Sequence, residues 1–374
     1  MSPIRVGFIG LSTSGWAPAA HLPFLKHSDK YQILAICNSS VESAKAAIEK
    51  YALGEETRAY GNPEELAKDK DIDLVVCSVR VDRHISTITP SLKAGKDVYV
   101  EWPLGKNLAE AKELLRLKNE GGVKSAVVGL QGRQSLVVRK IKQLLDEGRI
   151  GKVLSSSWVG QGGNMGPTVQ ESHEYISQRD VGGNLMTIHF GHSIDYIQAA
   201  LGYGFKPAPK SLVASRRTHQ KLLSSDGAVL EEKHAITSDD TIFLHGTLST
   251  GIPLSFSLRG GKAFKGTPGL EWRIYGENGE IRVSGSGPFL NVGYPDIKIE
   301  VVDFDLSGGD EDKVEVVEIE KDEFDGEEWA QYSRNVARLY EELAEGKINC
   351  SFEDAVERHE LIDGMYKENG IVVA

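Results

Sequence analysis

The first third of the chain alternates two apolar patterns. Short continuous apolar runs at 4–9 (IRVGFI), 31–38 (YQILAICN), 73–79 (DLVVCSV), 97–101 (DVYVE) and 125–130 (SAVVGL) predict strands one, two, four, five and six of a sheet. Between them, 41–50, 62–69, 84–94 and 108–120 predict helices. Apolar strands separated by helices of this length indicate a parallel sheet covered on both faces. Beyond about residue 125 the pattern changes. A helix is predicted over 134–147, then a glycine-rich loop over 160–168, a glycine-opened helix over 182–201 and several alternating strands between 209 and 320, with GENGE at 276–280 as a hairpin turn. Helices near 327–345 and 352–369 complete this second part.

The first strand runs straight into Gly10-Leu11-Ser12-Thr13-Ser14-Gly15. Glycines that open a helix after a strand form the first βα unit of a dinucleotide-binding sheet: Gly10 permits the tight turn, Ser12 sits where backbone approaches a pyrophosphate, and Gly15 allows close packing of helix on strand. The expected fold is therefore α/β in two domains. Residues 1–125 form an N-terminal doubly wound (Rossmann) parallel sheet that binds a dinucleotide, and 126–374 form a C-terminal α+β domain with an open, mostly antiparallel sheet for substrate binding and oligomerisation. The second strand ends at Cys37-Asn38-Ser39-Ser40 with no acidic residue before Glu42. An acid at this point bonds the adenosine 2′-hydroxyl of NAD and repels a 2′-phosphate, so its absence favours NADP, with Asn38, Ser39 and Ser40 at the phosphate and Lys45 nearby; NAD stays the alternative.

Composition narrows the class. The 374 residues are 40% hydrophobic, and no apolar stretch approaches the length of a membrane span. The first strand starts at residue 4, which leaves no room for a secretory signal, and three cysteines suit a reducing, cytoplasmic location. The net charge of −11 is concentrated in 303–328, which holds 13 acidic residues and two lysines, so nucleic-acid binding has no basic patch to rest on. That acidic run reads as a solvated hairpin edge or as a protein-contact surface.

The segments GFIGL, GWA and HLP, then LKAGK followed by VYVEWPLGKN, LQGR, LLDEGRIGKV and GGNLMTIHFGHSID, in that order, resemble the Gfo/Idh/MocA oxidoreductase family over nearly the whole chain. Within it they resemble the fungal branch that contains the galactose/lactose-metabolism repressor. Some members of that branch bind NADP without turnover and regulate a transcriptional activator. Family enzymes carry a lysine at the end of the fifth strand where this chain has Trp102, between Glu101 and Pro103, and a second-domain aspartate that falls here at Ile188, or at Thr187 with a one-residue slip. His192 matches the family's catalytic histidine, and His189 lies three residues earlier. The family's Thr-Pro loop and following histidine correspond to Ser78-Val79-Arg80 and His84.

The resemblance implies an NAD(P)-dependent oxidoreductase that moves hydride between nicotinamide and a hydroxyl or carbonyl of a sugar-like or cyclic molecule, with a non-catalytic NADP-binding regulator as the alternative. His192 would be the general acid/base, a hydrogen-bonded structural histidine, or, with His189 and Asp195, a metal ligand; the spacing alone does not argue for a metal. His189, Trp102 and Tyr175 complete the catalytic candidates. Trp102 would stack on the nicotinamide or a sugar face, or simply fill the floor of the site. The cofactor candidates are Gly10, Ser12, Gly15, Trp16, Asn38, Ser39, Ser40, Ser78, Val79, Arg80, His84, Glu101, Trp102 and Gln131. Arg80 would meet an anion or pair with Asp82, and Glu101 would accept from the nicotinamide ribose. Gln131, Arg133, the 160–166 loop, Glu171, His173 and Tyr175 would face a second, small-molecule ligand. The apolar alternation between 241 and 303 predicts an uncovered sheet face and a homodimer or homotetramer.

Overall fold

The computed structural model describes residues 2–12, 15–162, 164–305 and 313–373. Thr13 and Ser14 of the glycine turn, Gly163 of the glycine-rich loop and 306–312 of the acidic run lie outside the described residues. The chain divides into two compact units, Met1–Gln131 with Glu323–Asp363 and Gly132–Asp322 with Gly364–Ala374.

The first unit is built on six parallel strands: β1 (Ile4–Ile9), β2 (Tyr31–Cys37), β3 (Arg58–Tyr60), β4 (Leu74–Cys77), β5 (Asp97–Glu101) and β6 (Ala126–Gly129). Their order is β3-β2-β1-β4-β5-β6, the doubly wound arrangement in which β1 and β4 meet where strand order reverses. All of β4 and β6 is buried, as the continuous apolar runs require. The strand missing from the apolar pattern is β3: Arg-Ala-Tyr is half-buried and has no apolar run to mark it. Helices α1 (Trp16–Ala20), α2 (Leu22–His27), α3 (Val41–Tyr51), α4 (Pro63–Lys68), α5 (His84–Lys93) and α6 (Leu108–Glu120) connect the strands. Ser40 starts α3 with a reciprocal cap: its Oγ accepts from the Ser43 N–H at 3.1 Å, and its own N–H donates to Ser43 Oγ at 3.2 Å.

In the second unit, α7 (Leu136–Asp146) precedes β7 (Val153–Gln161), β8 (Thr168–Gln170) and α8 (Gly191–Leu201). Nine strands follow: β9 (Lys210–Ala214), β10 (His219–Leu223), β11 (Val229–Ala235), β12 (Thr241–Thr247), β13 (Pro253–Arg259), β14 (Leu270–Gly276), β15 (Gly279–Gly285), β16 (Lys298–Asp303) and β17 (Lys313–Val317). Eight strands form one sheet in the order β17-β16-β15-β14-β7-β13-β12-β9, antiparallel except for β7 beside β13, while β11-β10-β8 form a smaller sheet. The expected glycine-opened helix is opened instead by Asn184, whose Oδ1 accepts from the N–H groups of Met186 and Thr187 at 2.9 and 3.1 Å. A π-helical turn, Leu185–Phe190, then runs into α8.

The alternating face of the large sheet is not left uncovered, contrary to the expectation from its pattern. Ile242, Leu244, Phe256, Trp272, Ile274 and Val283 are fully buried. Trp158 stacks on Phe256 at 4.4 Å, Phe190 of the π turn meets Phe256 edge-on at 5.2 Å, and Trp158 Nε1 donates to Tyr196 of α8 at 3.1 Å. The chain's own helix therefore satisfies that face, and apolar exposure there gives no reason for association. The other face carries Ser155, Ser157, Ser255, His245 and Arg273 around an open depression.

The C-terminal helices differ from expectation in a second way. Most of them, α9 (Gln331–Ala344) and α10 (Phe352–Glu368) as far as Asp363, belong to the first unit and not to a 126–374 domain. Tyr340 of α9 decides this: fully buried, it stacks with Phe24 at 5.6 Å and Tyr99 at 5.2 Å, while its backbone carbonyl accepts from Tyr31 Oη at 2.6 Å. The first unit also extends through β6 to Gln131, past the expected boundary at 125.

Candidate functional site

The carboxyl ends of the parallel strands gather the first unit's candidates. Gly10 ends β1 with φ of 92°, and a Cβ there would lie 2.6 Å from both Ser78 O and Val79 Cγ1 at the end of β4. The turn thus needs glycine for conformation and for space at once. Gly15 differs from its expected role. Its φ of 96° asks for glycine, but among the described residues a Cβ would meet nothing nearer than Ser12 Oγ at 4.0 Å, so none of them crowds it. Ser12 is exposed, and its carbonyl accepts from Tyr51 Oη at 2.9 Å. Trp16 packs on Tyr332 at 4.8 Å.

At the end of β2, Asn38 Nδ2 donates to Leu11 O at 2.9 Å and Ser43 O at 3.1 Å, tying the glycine turn to α3. Ser39 stays exposed beside it, while Ser40 is engaged as the cap. Arg80 forms a two-pronged pair with Asp82, both contacts at 2.7 Å, which realises the salt-bridge alternative. His84 is buried between Val79 O at 3.0 Å and Leu104 O at 3.3 Å, and burial lowers its pKa.

Glu101, at the end of β5, is buried with its Oε1 2.9 Å from His21 Nε2, and His21 Nδ1 lies 2.8 Å from Tyr340 Oη. One carboxylate oxygen is thereby committed to a contact inside the unit rather than to a ribose. His21 comes from the HLP segment, which carried no chemical signal by itself. Trp102 is 5% exposed and packs 4.8 Å from the ring of His359 on α10. Burial and the nearby His84 push His359 down to about 3. Gln131 is fully buried just past β6, and neither end of its amide has a hydrogen-bond partner among the described residues.

In the second unit, His192 is 5% exposed on the first turn of α8. His189 lies on the π turn, accepts at Nε2 from Asn164 Nδ2 at 2.6 Å and stacks on Phe289 at 4.2 Å. Burial, with smaller contributions from His192 and His173, lowers its pKa to about 3. Burial thus favours the neutral ring, whose Nε2 is engaged by Asn164. Arg133 is likewise committed: it forms a buried two-pronged pair with Asp195, both contacts at 2.8 Å, and lies over Tyr203 at 5.1 Å. Asp195 thereby ties the guanidinium to α8. Among the described residues no group of three or more His, Cys, Asp or Glu could hold a metal ion. Tyr175 is half-buried in the short helix Glu171–Ser177, near the exposed His173 and Glu171.

Residues 4–129 match the family described as an oxidoreductase family with an NAD-binding Rossmann fold, and 137–285 match the C-terminal domain of Gal80p. The dehydrogenase aclE of Aspergillus oryzae is 33% identical over 75% of this chain and 77% of its own length. The chain belongs to the Gfo/Idh/MocA family. Within this family it is also similar to the galactose/lactose metabolism regulatory protein GAL80 of Saccharomyces cerevisiae, at 29% identity over 98% of this chain and 93% of that protein. The crystal structure of a super-repressor mutant of S. cerevisiae Gal80p superposes with a TM-score of 0.87 at 27% identity, covering 98% of this chain and 96% of that one. This Gfo/Idh/MocA member therefore joins the family's dinucleotide fold to a Gal80-type second domain.

Proposed function

We propose that the protein is a nicotinamide-dinucleotide-binding regulator, with NADP(H) as the favoured cofactor, that acts by contacting another protein, a transcriptional activator, and does not turn over a substrate. The observation that carries this reading is Trp102. At the position of the family lysine stands a buried indole packed against His359, whose own pKa of about 3 leaves no exchangeable proton near neutrality. The similarity to a named regulatory protein over nearly the full length points the same way.

The first unit fits a dinucleotide. Gly10 makes the tight turn at the strand end, where any side chain would collide with Ser78 and Val79, and Gln131 holds a buried amide with no hydrogen-bond partner among the described residues. Gly10, Ser12, Ser39, Ser78 and Gln131 are the residues that would hold the cofactor. When bound, that group supplies a hydride donor or acceptor. The chain's own part is to bind and orient it, with no acidic residue between Cys37 and Glu42 to repel a 2′-phosphate. A second reading keeps an oxidoreductase of sugar-like or cyclic compounds. It is favoured by His192, which stands at the family's histidine position, and by the similarity to a dehydrogenase.

Calorimetric titration with NADP(H) and NAD(H), run beside a turnover screen over sugars, polyols and cyclic ketones, separates the two. Tighter NADP(H) binding with no turnover, and capture of a protein partner that depends on cofactor, is the expected result. Turnover that falls by about a hundredfold in His192→Ala would establish the enzyme instead.

A further inference from the structure

We infer that the C-terminal helix α9 sets the affinity of the strand-end site for its dinucleotide, through a buried relay from Tyr340 to His21 to Glu101 in which His21 is a positioning residue. The inference rests on the reading of the first unit as a dinucleotide site. Glu101 closes β5 at the carboxyl end of the sheet, where ligands of doubly wound folds bind, and it is 8% exposed. Its Oε1 is turned inward and shut off from solvent, 2.9 Å from His21 Nε2. A ligand can therefore meet this carboxylate only through Oε2, and the direction Oε2 takes is fixed by whatever holds Oε1. Gly129, at the end of β6, supplies the space: a Cβ there would lie 2.9 Å from Oε2 and 3.0 Å from Oε1.

His21 is built to hold one position. It is fully buried at the junction of α1 and α2, where its backbone N–H donates to Ala17 O at 3.1 Å and its carbonyl accepts from the Leu25 N–H at 3.1 Å. The rings of Phe8, Tyr99 and Tyr340 meet its imidazole edge-on at 5.4, 5.2 and 5.8 Å. An ionised carboxylate only accepts, so Nε2 carries the proton that faces Glu101, and in a neutral imidazole Nδ1 is then an acceptor. The group that satisfies Nδ1 is Tyr340 Oη, 2.8 Å away, whose O–H donates. The tyrosine thus selects the ring form that presents N–H to Glu101, as the orienting member of a hydrogen-bonded triad does. Tyr340 is itself fixed, since its carbonyl accepts from Tyr31 Oη at 2.6 Å and its ring stacks with Phe24 and Tyr99. A phenylalanine at this place would keep every ring contact that seats α9. What the hydroxyl adds is direction at His21, and through it at Glu101.

The test titrates the full chain calorimetrically with NADPH and NADH. Tyr340→Phe removes only the hydroxyl and should weaken binding of the tighter dinucleotide by about fivefold or more. Glu101→Gln should weaken it too, and in that background Tyr340→Phe should add about twofold or less, because the relay has lost its end. Should Glu101→Gln fail to fold, Gly129→Ala, which crowds the same carboxylate, takes its place in the cycle. Coupling is reciprocal, so saturating dinucleotide should slow hydrogen exchange in α9 of wild type and not in the Glu101 variant. A merely structural tyrosine would lower the melting temperature in both backgrounds and leave affinity and this exchange response unmoved. Unchanged affinity in Tyr340→Phe, or the same loss with and without Glu101, overturns the relay while the cofactor reading stands. Failure of wild type to bind either dinucleotide overturns both.

Discussion

Gln131 is the residue whose chemistry is least explained by folding alone. A fully buried amide with no partner among the described residues destabilises the free protein, so Gln131→Leu should leave the melting temperature unchanged or raise it. If the amide meets the dinucleotide, the same substitution weakens NADP(H) binding by about tenfold, and calorimetry beside thermal melts reads both effects. A lower melting temperature with unchanged affinity would assign Gln131 a structural role. Gly10 and Gly15 make a contrasting pair. Gly10→Ala meets Ser78 and Val79 at 2.6 Å and should abolish cofactor binding, while Gly15→Ala has space and costs only about 1–3 kcal/mol through its φ of 96°. Equal losses of affinity in the two variants would show that the turn reads conformation and not space.

At the scale of elements, α9 depends on one aromatic cluster. Tyr340 stacks with Phe24 and Tyr99 and lies 2.8 Å from His21, so Tyr340→Ala should cost about 3–5 kcal/mol and loosen α9 from the parallel sheet. Urea unfolding measures the loss, and hydrogen exchange should place the new openings in α9 and α2; a loss below about 1 kcal/mol would mean that the cluster repacks. The helix itself was legible in the sequence, since its apolar periodicity is clear. Its allegiance was not, because periodicity states which face is buried and not against what. The same limit explains the large sheet. Alternation between 241 and 303 announces one buried face, and only the placement of α8 and the π turn shows that the chain covers it. The strand β3 escaped notice for the opposite reason: three half-buried residues at a sheet edge bury too little to leave a pattern.

For the whole molecule, acid stability follows from buried imidazoles. His189 and His359 sit near 3, and His84 is also lowered, each chiefly by burial. Their unfolded value lies near 6.5, so the unfolded chain takes up protons first as pH falls. The stability they contribute is complete above about pH 6.5 and is lost progressively toward pH 3. Between pH 6.5 and 5, where carboxylates stay ionised, His189 and His359 each approach a slope of about 1.4 kcal/mol per pH unit, and His84 acts in the same direction. Urea melts across this window should show the decline, and His359→Phe, which keeps a ring against Trp102, should make it shallower. An unchanged slope in that variant would place the acid sensitivity elsewhere.

The sequence by itself determined the doubly wound sheet, the positions of its helices and the glycine turn, because these rest on local rules: strand periodicity, helix spacing and the conformation of Gly10. It also displayed the exchange of the family lysine for Trp102, which needs only a residue identity in a recognisable place. The tertiary structure decided what depends on partners distant in the chain. Arg133 is paired with Asp195, His189 engaged by Asn164 and Phe289, and Glu101 by His21. A polar side chain has the same letter whether it is tied up or available. Its partners, often dozens to hundreds of residues away, settle which, and those partners meet only when the chain has folded.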